Sequence, residues 1–443
     1  MLVLYLLVAV VLIVYSTSKL QLHPFLALLL AAILYGLASG MELPLLIQSI
    51  NEGFGGTLGK IGLVIIMGVI IGAFLEESGG AYAIAERVLK IIGEKRVPLA
   101  MTIIGYIVSI PVFCDSGFVI LSPLNRALTK KAKQSLAVTA MALSIGLLAS
   151  HALVPPTPGP IAAAGILNAN LGMVIFWGLI TTILALVPTF LIITRLAARY
   201  HIDPNPDLTA HQIAQKKIQA PSAVKSVLPI IIPILLIVLK SFNDYAHWIT
   251  AGPVFRGLNF LGTPLIALLI GLVFALFLPK RLERKMLSTE GWVGKALKDA
   301  AIIIMITGAG GIFGKVLQNS GIAEVIGDTM SIYNMGLLLP FLIAAALKTA
   351  QGSSTVALIT TASIMAPLMG QLGLESEITI ALVVLIIGAG SLVTSHANDS
   401  FFWVVTQMSD MDVATGYRLQ SLGSALLGTF SALIIFIIWL FIG

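Results

Sequence analysis

Long apolar runs constrain the fold of this chain more than any other feature. Leu422–Ile442 contains no charged residue, and Leu2–Ser18, Phe25–Ala38 and Ile230–Leu239 are similarly apolar. Such runs are long or dense enough to cross, or nearly cross, the hydrocarbon core of a bilayer as helices. With 58% hydrophobic and only 10% charged residues, the chain could not cover the surface of a soluble domain. The sequence therefore predicts an all-α polytopic membrane protein.

Basic residues are concentrated in six segments between the apolar runs and indicate the topology. These segments are Lys19, Arg87–Arg96, Arg126–Lys133, Arg195–Lys225, Lys280–Lys298 and Arg418. Loops rich in Lys and Arg face the cytoplasm, so both termini are predicted to be periplasmic. Because Pro98–Asn125 lies between two basic segments, it must enter and leave the membrane on the same side, which predicts a re-entrant hairpin. The net charge of +6 thus reflects topology in a lipid bilayer and not a nucleic-acid partner.

Three short motifs recur in the same order in the two halves of the chain, about 240 positions apart. They are Pro24–Leu29 with Pro264–Leu269, Gly72–Gly79 with Gly314–Gly321, and Ser150–Ala152 with Ser395–Ala397. The charge distribution runs Leu63–Ser78 inward and Ile302–Ser320 outward, which predicts two inverted-topology repeats. We expect the repeats at residues 1–200 and 225–443, joined by a cytoplasmic linker at 201–224.

Each half is predicted to hold three helices, a re-entrant hairpin, a broken helix and a final helix. The broken helices are Ser135–Leu167, interrupted at His151–Pro160, and Ile378–Gln407, interrupted near His396–Ser400. The expected fold therefore has about ten full crossings plus two re-entrant hairpins and two broken helices. Paired interrupted segments in matching positions of two inverted halves are typical of the binding site of a transporter that works by alternating access.

Four polar clusters fall at these hairpins and breaks, at Asp115–Gly117, Ser150–Pro160, Lys348–Thr355 and Ser395–Ser400. Half-helix N-termini offer N–H groups to a carboxylate, and Ser, Thr and Asn offer partners to a hydroxylated ligand. Lys348 offers a cation. The residues predicted to bind substrate are Ser116, Gly117, His151, Thr157, Lys348, Gly352, Ser353, Ser354, Thr355, His396 and Asn398. Either Asp115 or Asp399 is predicted to carry the coupling proton, because a buried carboxylate is expensive unless it is neutralised.

Four sequence motifs resemble those of the gluconate:proton symporter family, within the ion transporter superfamily. They are Pro111–Leu124, Val154–Pro160, Gly352–Ala357 and Ser395–Trp403, in order along nearly the whole chain. The resemblance implies proton-coupled uptake of a sugar acid or another small hydroxycarboxylate across a bacterial inner membrane. It also implies two re-entrant hairpins and an inverted repeat.

The chain departs from that family at three positions of the predicted site. Gluconate-type members typically have Glu at the position of Asp115, His at that of Thr157 and Arg at that of Lys348. Replacing a guanidinium fork by a point-charge ammonium is not conservative at a carboxylate site. Glycerate, a smaller hydroxy acid, is therefore an alternative substrate. D-serine is another, because the resemblance extends to relatives that carry it. The oxygen-rich helix breaks would also fit sodium as the coupling ion.

The alternative function of another class is an intramembrane hydrolase. Ser353, His396 and Asp399 would be the residues of an intramembrane hydrolase, but the chain has no Gly-x-Ser-x-Gly elbow. A channel is a further alternative, but two inverted halves with one hairpin each fit a transporter that works by alternating access better. One cysteine and unclustered histidines predict no metal and no cofactor. A homodimer is expected, since a moving transport domain needs a fixed scaffold.

Overall fold

A computed structural model describes residues 1–93, 96–204, 220–322, 325 and 336–442. All regular secondary structure in these residues is helical, which confirms the all-α prediction. The first half contains α1 (Leu2–Ser18), α2 (Pro24–Ala38), α3 (Leu43–Glu77), α4 (Gly80–Ile92), α5 (Val97–Val108), α6 (Cys114–Lys131), α7 (Leu136–Leu153), α8 (Pro158–Ile166) and α9 (Leu171–Ala197). The second half contains α10 (Ala223–Ala246), α11 (Gly252–Leu261), α12 (Pro264–Leu276), α13 (Trp292–Asn319), α14 (Leu338–Gln351), α15 (Ser354–Met365), α16 (Glu377–Gly390), α17 (Ser400–Met408), α18 (Val413–Gly416) and α19 (Leu422–Ile442).

Six helical stretches of the described residues are long and apolar enough to cross a membrane. They are Leu43–Glu77, Leu136–Ile166, Leu171–Ala197, Ala223–Ala246, Arg284–Asn319 and Val413–Ile442. The pair α11–α12, bent by 71°, makes a seventh if it is one span. Shorter apolar helices of 10–17 residues, among them α1, α2 and α14, accompany them. The protein is a multi-pass membrane protein, and the count of ten crossings stays a prediction.

Helices α7 and α16 lie at the centre of the molecule. Nearly every side chain of α7 is buried, and so is most of α16. In the long apolar helices α9 and α10, by contrast, only 33% of the most apolar 18-residue segment of each helix is buried within the protein. Exposed apolar side chains in a membrane protein face lipid. The perimeter is therefore apolar, and the polar breaks of the central helices are shielded from lipid by protein.

Helical structure is interrupted at four places, two turns and two breaks, which meet near the centre of the molecule. Helices α5 and α6 are joined at Ser109–Phe113 and both pack on α7, whereas α14 and α15 are joined at Gly352–Ser353 and both pack on α16. The segments beyond the central breaks cross between the halves, because α8 packs against α15 and α17 packs against α6. These contacts between the halves bring the two turns and the two breaks together.

The long helices α3 and α13 pack along each other and end alike. Both begin earlier than Leu63 and Ile302, the starts that the charge pattern suggested. After each helix a glycine adopts the left-handed conformation that favours this residue, at Gly79 with φ 77° and at Gly321 with φ 74°. The Ser-Gly end of the recurring motif, Ser78-Gly79 and Ser320-Gly321, thus has the same local structure in both halves.

The predicted repeats at 1–200 and 225–443 stay a prediction. The linker at 201–224 lies partly outside the described residues, which include 201–204 and 220–224 of it. Helix α10 already begins at Ala223, two residues before the predicted start of the second repeat.

Candidate functional site

A cavity of about 260 Å³ lies where the two turns and the second break meet. It is lined by Phe113, Cys114, Asp115, Leu148, His151, Gln351, Gly352, Ser353, Ser354, Thr355, Asn398, Asp399, Ser400 and Phe401. All four predicted polar clusters therefore contribute to the lining. The clusters at Lys348–Thr355 and Ser395–Ser400 contribute several residues each, whereas the first cluster contributes Asp115 and the α7 break contributes His151. Of the described residues that form this wall, none is Lys or Arg.

Three helices begin at the cavity. Their first residues are Cys114 in α6, Ser354 in α15 and Ser400 in α17, and all three line it. The side chain of Ser353 caps α15 by accepting from Val356 N at 3.3 Å. The unpaired N–H groups of a first helical turn carry partial positive charge, and such groups can bind an anion without a cationic side chain.

Gly352 makes this convergence possible. It has a left-handed φ of 84° and lies directly against the backbone of Asn398. A Cβ at this position would collide with the Asn398 carbonyl. The turn between α14 and α15 can therefore approach the second break only because residue 352 has no side chain.

Asp115 and Ser400 connect the two halves across the cavity. The Ser400 hydroxyl donates to Asp115 Oδ1 at 3.1 Å, and the Cys114 thiol donates weakly to Oδ2 at 3.6 Å. Within the described part of the chain, Asp115 has no Lys, Arg or His within ion-pair distance. Its charge is therefore not compensated locally by a cation.

Asp399, by contrast, is ion-paired and fully hydrogen-bonded. Its Oδ2 accepts from Lys348 Nζ at 2.8 Å and from the Ser395 hydroxyl at 2.6 Å, and its Oδ1 accepts from Phe401 N at 3.1 Å. Lys348 is only 2% exposed and also donates to the Gly352 carbonyl. A buried pair with this many partners has compensated charges. Lys348 thus lies behind the cavity wall, where it neutralises Asp399.

His151 and Gln351 bring unpaired polar atoms to the site. His151 is 8% exposed, packs against the Phe113 ring at 6.0 Å, and its Nδ1 has no hydrogen-bond partner among the described residues. The same holds for both amide atoms of Gln351. Buried polar groups are nearly always paired, so unpaired ones beside a cavity call for a ligand or water.

Some residues of the predicted site lie elsewhere. Ser116, Gly117, Thr157, Lys348 and His396 do not line the cavity. Thr157 is buried, and its hydroxyl donates to the Val154 carbonyl at 2.8 Å, so that it closes the first break. A Cβ on Gly117 would lie 2.7 Å from Leu147 of α7, which makes this glycine a packing position.

The two histidines of the repeated motif have different environments. His396 Nε2 lies 2.8 Å from the Thr349 carbonyl, which also accepts from Asn398 Nδ2 at 2.9 Å. His396 therefore holds the second break against α14, whereas His151 faces the cavity. His396 is bonded to Thr349 and Asp399 to Lys348, so Ser353, His396 and Asp399 are not linked as a hydrolase triad would require.

The predicted set omitted three polar lining residues, Cys114, Gln351 and Ser400. Each is adjacent in sequence to a predicted residue, so its position in or beside a polar cluster is the feature of the sequence that indicates it. The side chain facing the cavity could not be identified from that signal alone.

A sequence model of the GntP family permease matches residues 1–442. The chain belongs to the GntP permease family. The gluconate permease of Pseudomonas aeruginosa is 34% identical to this permease over 93% of this chain and 92% of the relative. The inner membrane permease YgbN of Escherichia coli is 33% identical over 98% of this chain and 97% of the relative. The predicted resemblance is confirmed.

A solved structure supports the fold. The crystal structure of the YdaH transporter of Alcanivorax borkumensis aligns with a TM-score of 0.62 over 90% of this chain and 89% of that one. At 17% identity this likeness concerns the fold alone. Together, the relatives and the apolar helices identify a multi-pass inner membrane transport protein of the gluconate permease family and not an enzyme.

Proposed function

We propose that this permease is a secondary active transporter that takes up gluconate or a related small hydroxycarboxylate together with protons. The observation that carries the proposal is the chemistry of the cavity, where three helix N-termini meet hydroxyl and amide groups. Its volume of about 260 Å³ is just below the 300–1,000 Å³ of sites for larger ligands, which suits a small acid. The name of the Pseudomonas aeruginosa relative agrees with this substrate class.

The substrate carboxylate is proposed to bind at the starts of α15 and α17. Ser353, Ser354 and Thr355 lie at the first of these starts and Asn398 precedes the second, all of them along the cavity wall. Backbone N–H groups need no charge of their own to bind an anion, which fits a wall that has no Lys or Arg among its described residues. Such a site selects for a carboxylate and against a cation.

The substrate hydroxyls are proposed to bind His151 and Gln351. The amide of Gln351 presents one acceptor and one donor group, both without a partner within the described structure. A carboxylate accepts hydrogen bonds only, whereas a hydroxyl both donates and accepts. Two neighbouring hydroxyls, as in gluconate and glycerate, therefore complement the amide better than a simple carboxylic acid does.

Asp115 is proposed to carry the coupling proton. It faces the cavity where the anion would bind, and Asp399, the other candidate, is already neutralised by Lys348. Two negative charges in one small, poorly solvated cavity repel each other strongly. A proton on Asp115 removes that repulsion, so that substrate and proton favour each other's binding, as coupling requires.

Alternating access by two inverted repeats is proposed for the motion. The helix pairs α5–α6 and α14–α15, each packed on a broken central helix, and the matched ends of α3 and α13 support this arrangement. The two helix pairs are proposed to be re-entrant hairpins and both termini to be periplasmic. A homodimer that holds the perimeter helices fixed is proposed as the scaffold.

Uptake into proteoliposomes tests the proposal. With the lumen alkaline, the outside acidic and no sodium, labelled gluconate should accumulate above its equilibrium level. Collapsing the pH gradient with a protonophore should abolish accumulation. Accumulation that requires a sodium gradient and ignores the pH gradient would replace the proton by sodium as the coupling ion.

Competition then ranks the substrates. Unlabelled glycerate should compete with gluconate if a carboxylate and two neighbouring hydroxyls suffice for recognition. D-serine carries an ammonium group, which cannot accept from Gln351, and should compete more weakly. Strong competition by D-serine with none by glycerate would overturn the proposed hydroxyl recognition.

A further inference from the structure

One buried side chain connects the two helix starts of the second half. Lys348 belongs to the last turn of α14, and its Nζ donates to the carbonyl of Gly352, one residue before the cap of α15. The same Nζ donates at 2.8 Å to Asp399, which caps α17. The ends of this link are 51 positions apart in sequence, so it joins two separate elements.

Asp399 and Gly352 line the cavity, whereas Lys348, which connects them, lies behind the wall. Lys348 is 2% exposed, and Asp399 is held from three sides by Lys348, Ser395 and Phe401 N. The Ser395 backbone is itself fixed, because Ser424 accepts from its N–H at 3.0 Å and Ser421 donates to its carbonyl at 2.5 Å. The link is therefore anchored to the chain that leads into α19.

We propose that Lys348 is a positioning residue, which fixes the starts of α15 and α17 relative to each other and does not bind the substrate carboxylate. The proposal rests on the proposed function in one respect, namely that these two helix starts receive the carboxylate. Because Lys348 and Asp399 cancel each other, the attraction for the anion comes from the oriented backbone N–H groups. The distance between the two helix starts then determines substrate affinity.

Three variants separate this role from the alternatives: Lys348→Met, Asp399→Asn and the double variant. Asn is as good a helix cap as Asp, so Asp399→Asn removes the charge and keeps the cap of α17. Either single change leaves one buried charge without its partner, which is destabilising. The double change leaves no buried charge, but it also leaves the two helix starts unconnected.

Substrate KM and thermal stability should therefore respond differently. We expect each single variant, and the double variant, to raise the KM for gluconate by roughly tenfold or more, without the two effects adding. The unfolding temperature of the purified protein should fall in both single variants and recover in the double variant. An unchanged or lower KM in Asp399→Asn would show that Lys348 is a substrate ligand and overturn the proposal. So would a double variant whose KM recovers together with its stability.

An exposed ion pair provides the matched control. Lys298 and Glu290 lie 3.6 Å apart, with side chains 69% and 81% exposed. The double variant Lys298→Met/Glu290→Gln should change neither KM nor unfolding temperature. If Lys348→Met does not fold, the KM of Asp399→Asn and of the double variant still decides the question.

Alkylation of Cys114 provides a readout that does not depend on transport. Cys114 is the single cysteine of the chain and lines the cavity. The rate of its reaction with a small thiol reagent should change in all three variants, because loosening the helix starts alters the wall of the cavity that Cys114 also lines. Wild-type protein without gluconate uptake would refute the proposed function, whereas a wild-type alkylation rate in the double variant would refute the positioning role.

Discussion

The two turns that meet at the cavity are built differently. In the second half, Lys348 and Asp399 neutralise each other, and Ser353 and Asp399 each cap a helix. In the first half, the side chains that donate to Asp115 are a hydroxyl and a thiol, and no cation among the described residues pairs with it. The same architecture therefore carries a compensated charge on one side and an uncompensated one on the other.

This difference suggests a division of roles between the halves. A paired, fully bonded carboxylate has little freedom to change its charge without breaking the surrounding network. An uncompensated carboxylate beside a cavity can take up or release a proton at lower structural cost. We infer that the second half provides the fixed frame for the anion and the first half provides the group that couples its binding to protons.

Asp115→Asn gives the largest effect expected from this comparison. An amide has nearly the size of the carboxyl group and is permanently neutral, so it resembles the protonated acid. Accumulation driven by a pH gradient should be lost completely, while exchange of labelled for unlabelled gluconate across the same vesicles should partly remain. Uptake and exchange, measured on one preparation, check this directly.

The matched control is Asp299→Asn, an exposed position in α13. It should accumulate gluconate like the wild type. Accumulation retained by Asp115→Asn would remove this acid from the coupling role and with it the proposed division between the halves.

The sequence was sufficient for the fold class and the family, because apolar runs and whole-chain motifs do not depend on tertiary contacts. It also located the polar clusters, since Asp115, Gly352–Thr355 and Asn398–Asp399 do line one cavity. It could not reveal that Lys348 pairs with Asp399 and does not itself line the cavity. Such pairings depend on how each helix is rotated about its axis, and in uniformly apolar helices the sequence carries little information on rotation.

Thr157 and Gln351 also show that the sequence does not determine which polar side chains face the cavity. Both belong to polar clusters at helix breaks, but Thr157 turns inward to the Val154 carbonyl and Gln351 borders the cavity. Their residue types do not distinguish the two outcomes. The structure distinguishes them because it shows which polar atoms already have partners and which do not.

Gln351→Met is expected to give the second-largest effect, and it should change only the recognition of the substrate. Methionine fills a similar volume and cannot pair with hydroxyls, so the substrate loses neutral hydrogen bonds of about 1 kcal/mol each. The KM for gluconate should rise by roughly tenfold, since 1.4 kcal/mol corresponds to a factor of ten. The pH dependence of uptake should not change, because Asp115 is intact.

Gln407→Met, at an exposed position in α17, is the control for that substitution. Competition by glycerate and by lactate sharpens the result, because lactate has one hydroxyl only. The wild type should prefer glycerate, and Gln351→Met should reduce that preference. An undiminished preference in the variant would mean that another residue recognises the second hydroxyl.

Thr157→Val is expected to give the smallest effect and tests whether Thr157, at the first break, contacts the substrate. Valine keeps the shape and removes the hydroxyl that donates to the Val154 carbonyl. Losing this buried hydrogen bond should lower stability by about 1 kcal/mol, seen as a lower unfolding temperature. The KM for gluconate should stay at the wild-type value, because Thr157 is 1% exposed and does not line the cavity. A raised KM at normal stability would place Thr157 in contact with substrate in another conformation of the permease, and the first half would then contribute a second residue besides His151 to substrate binding.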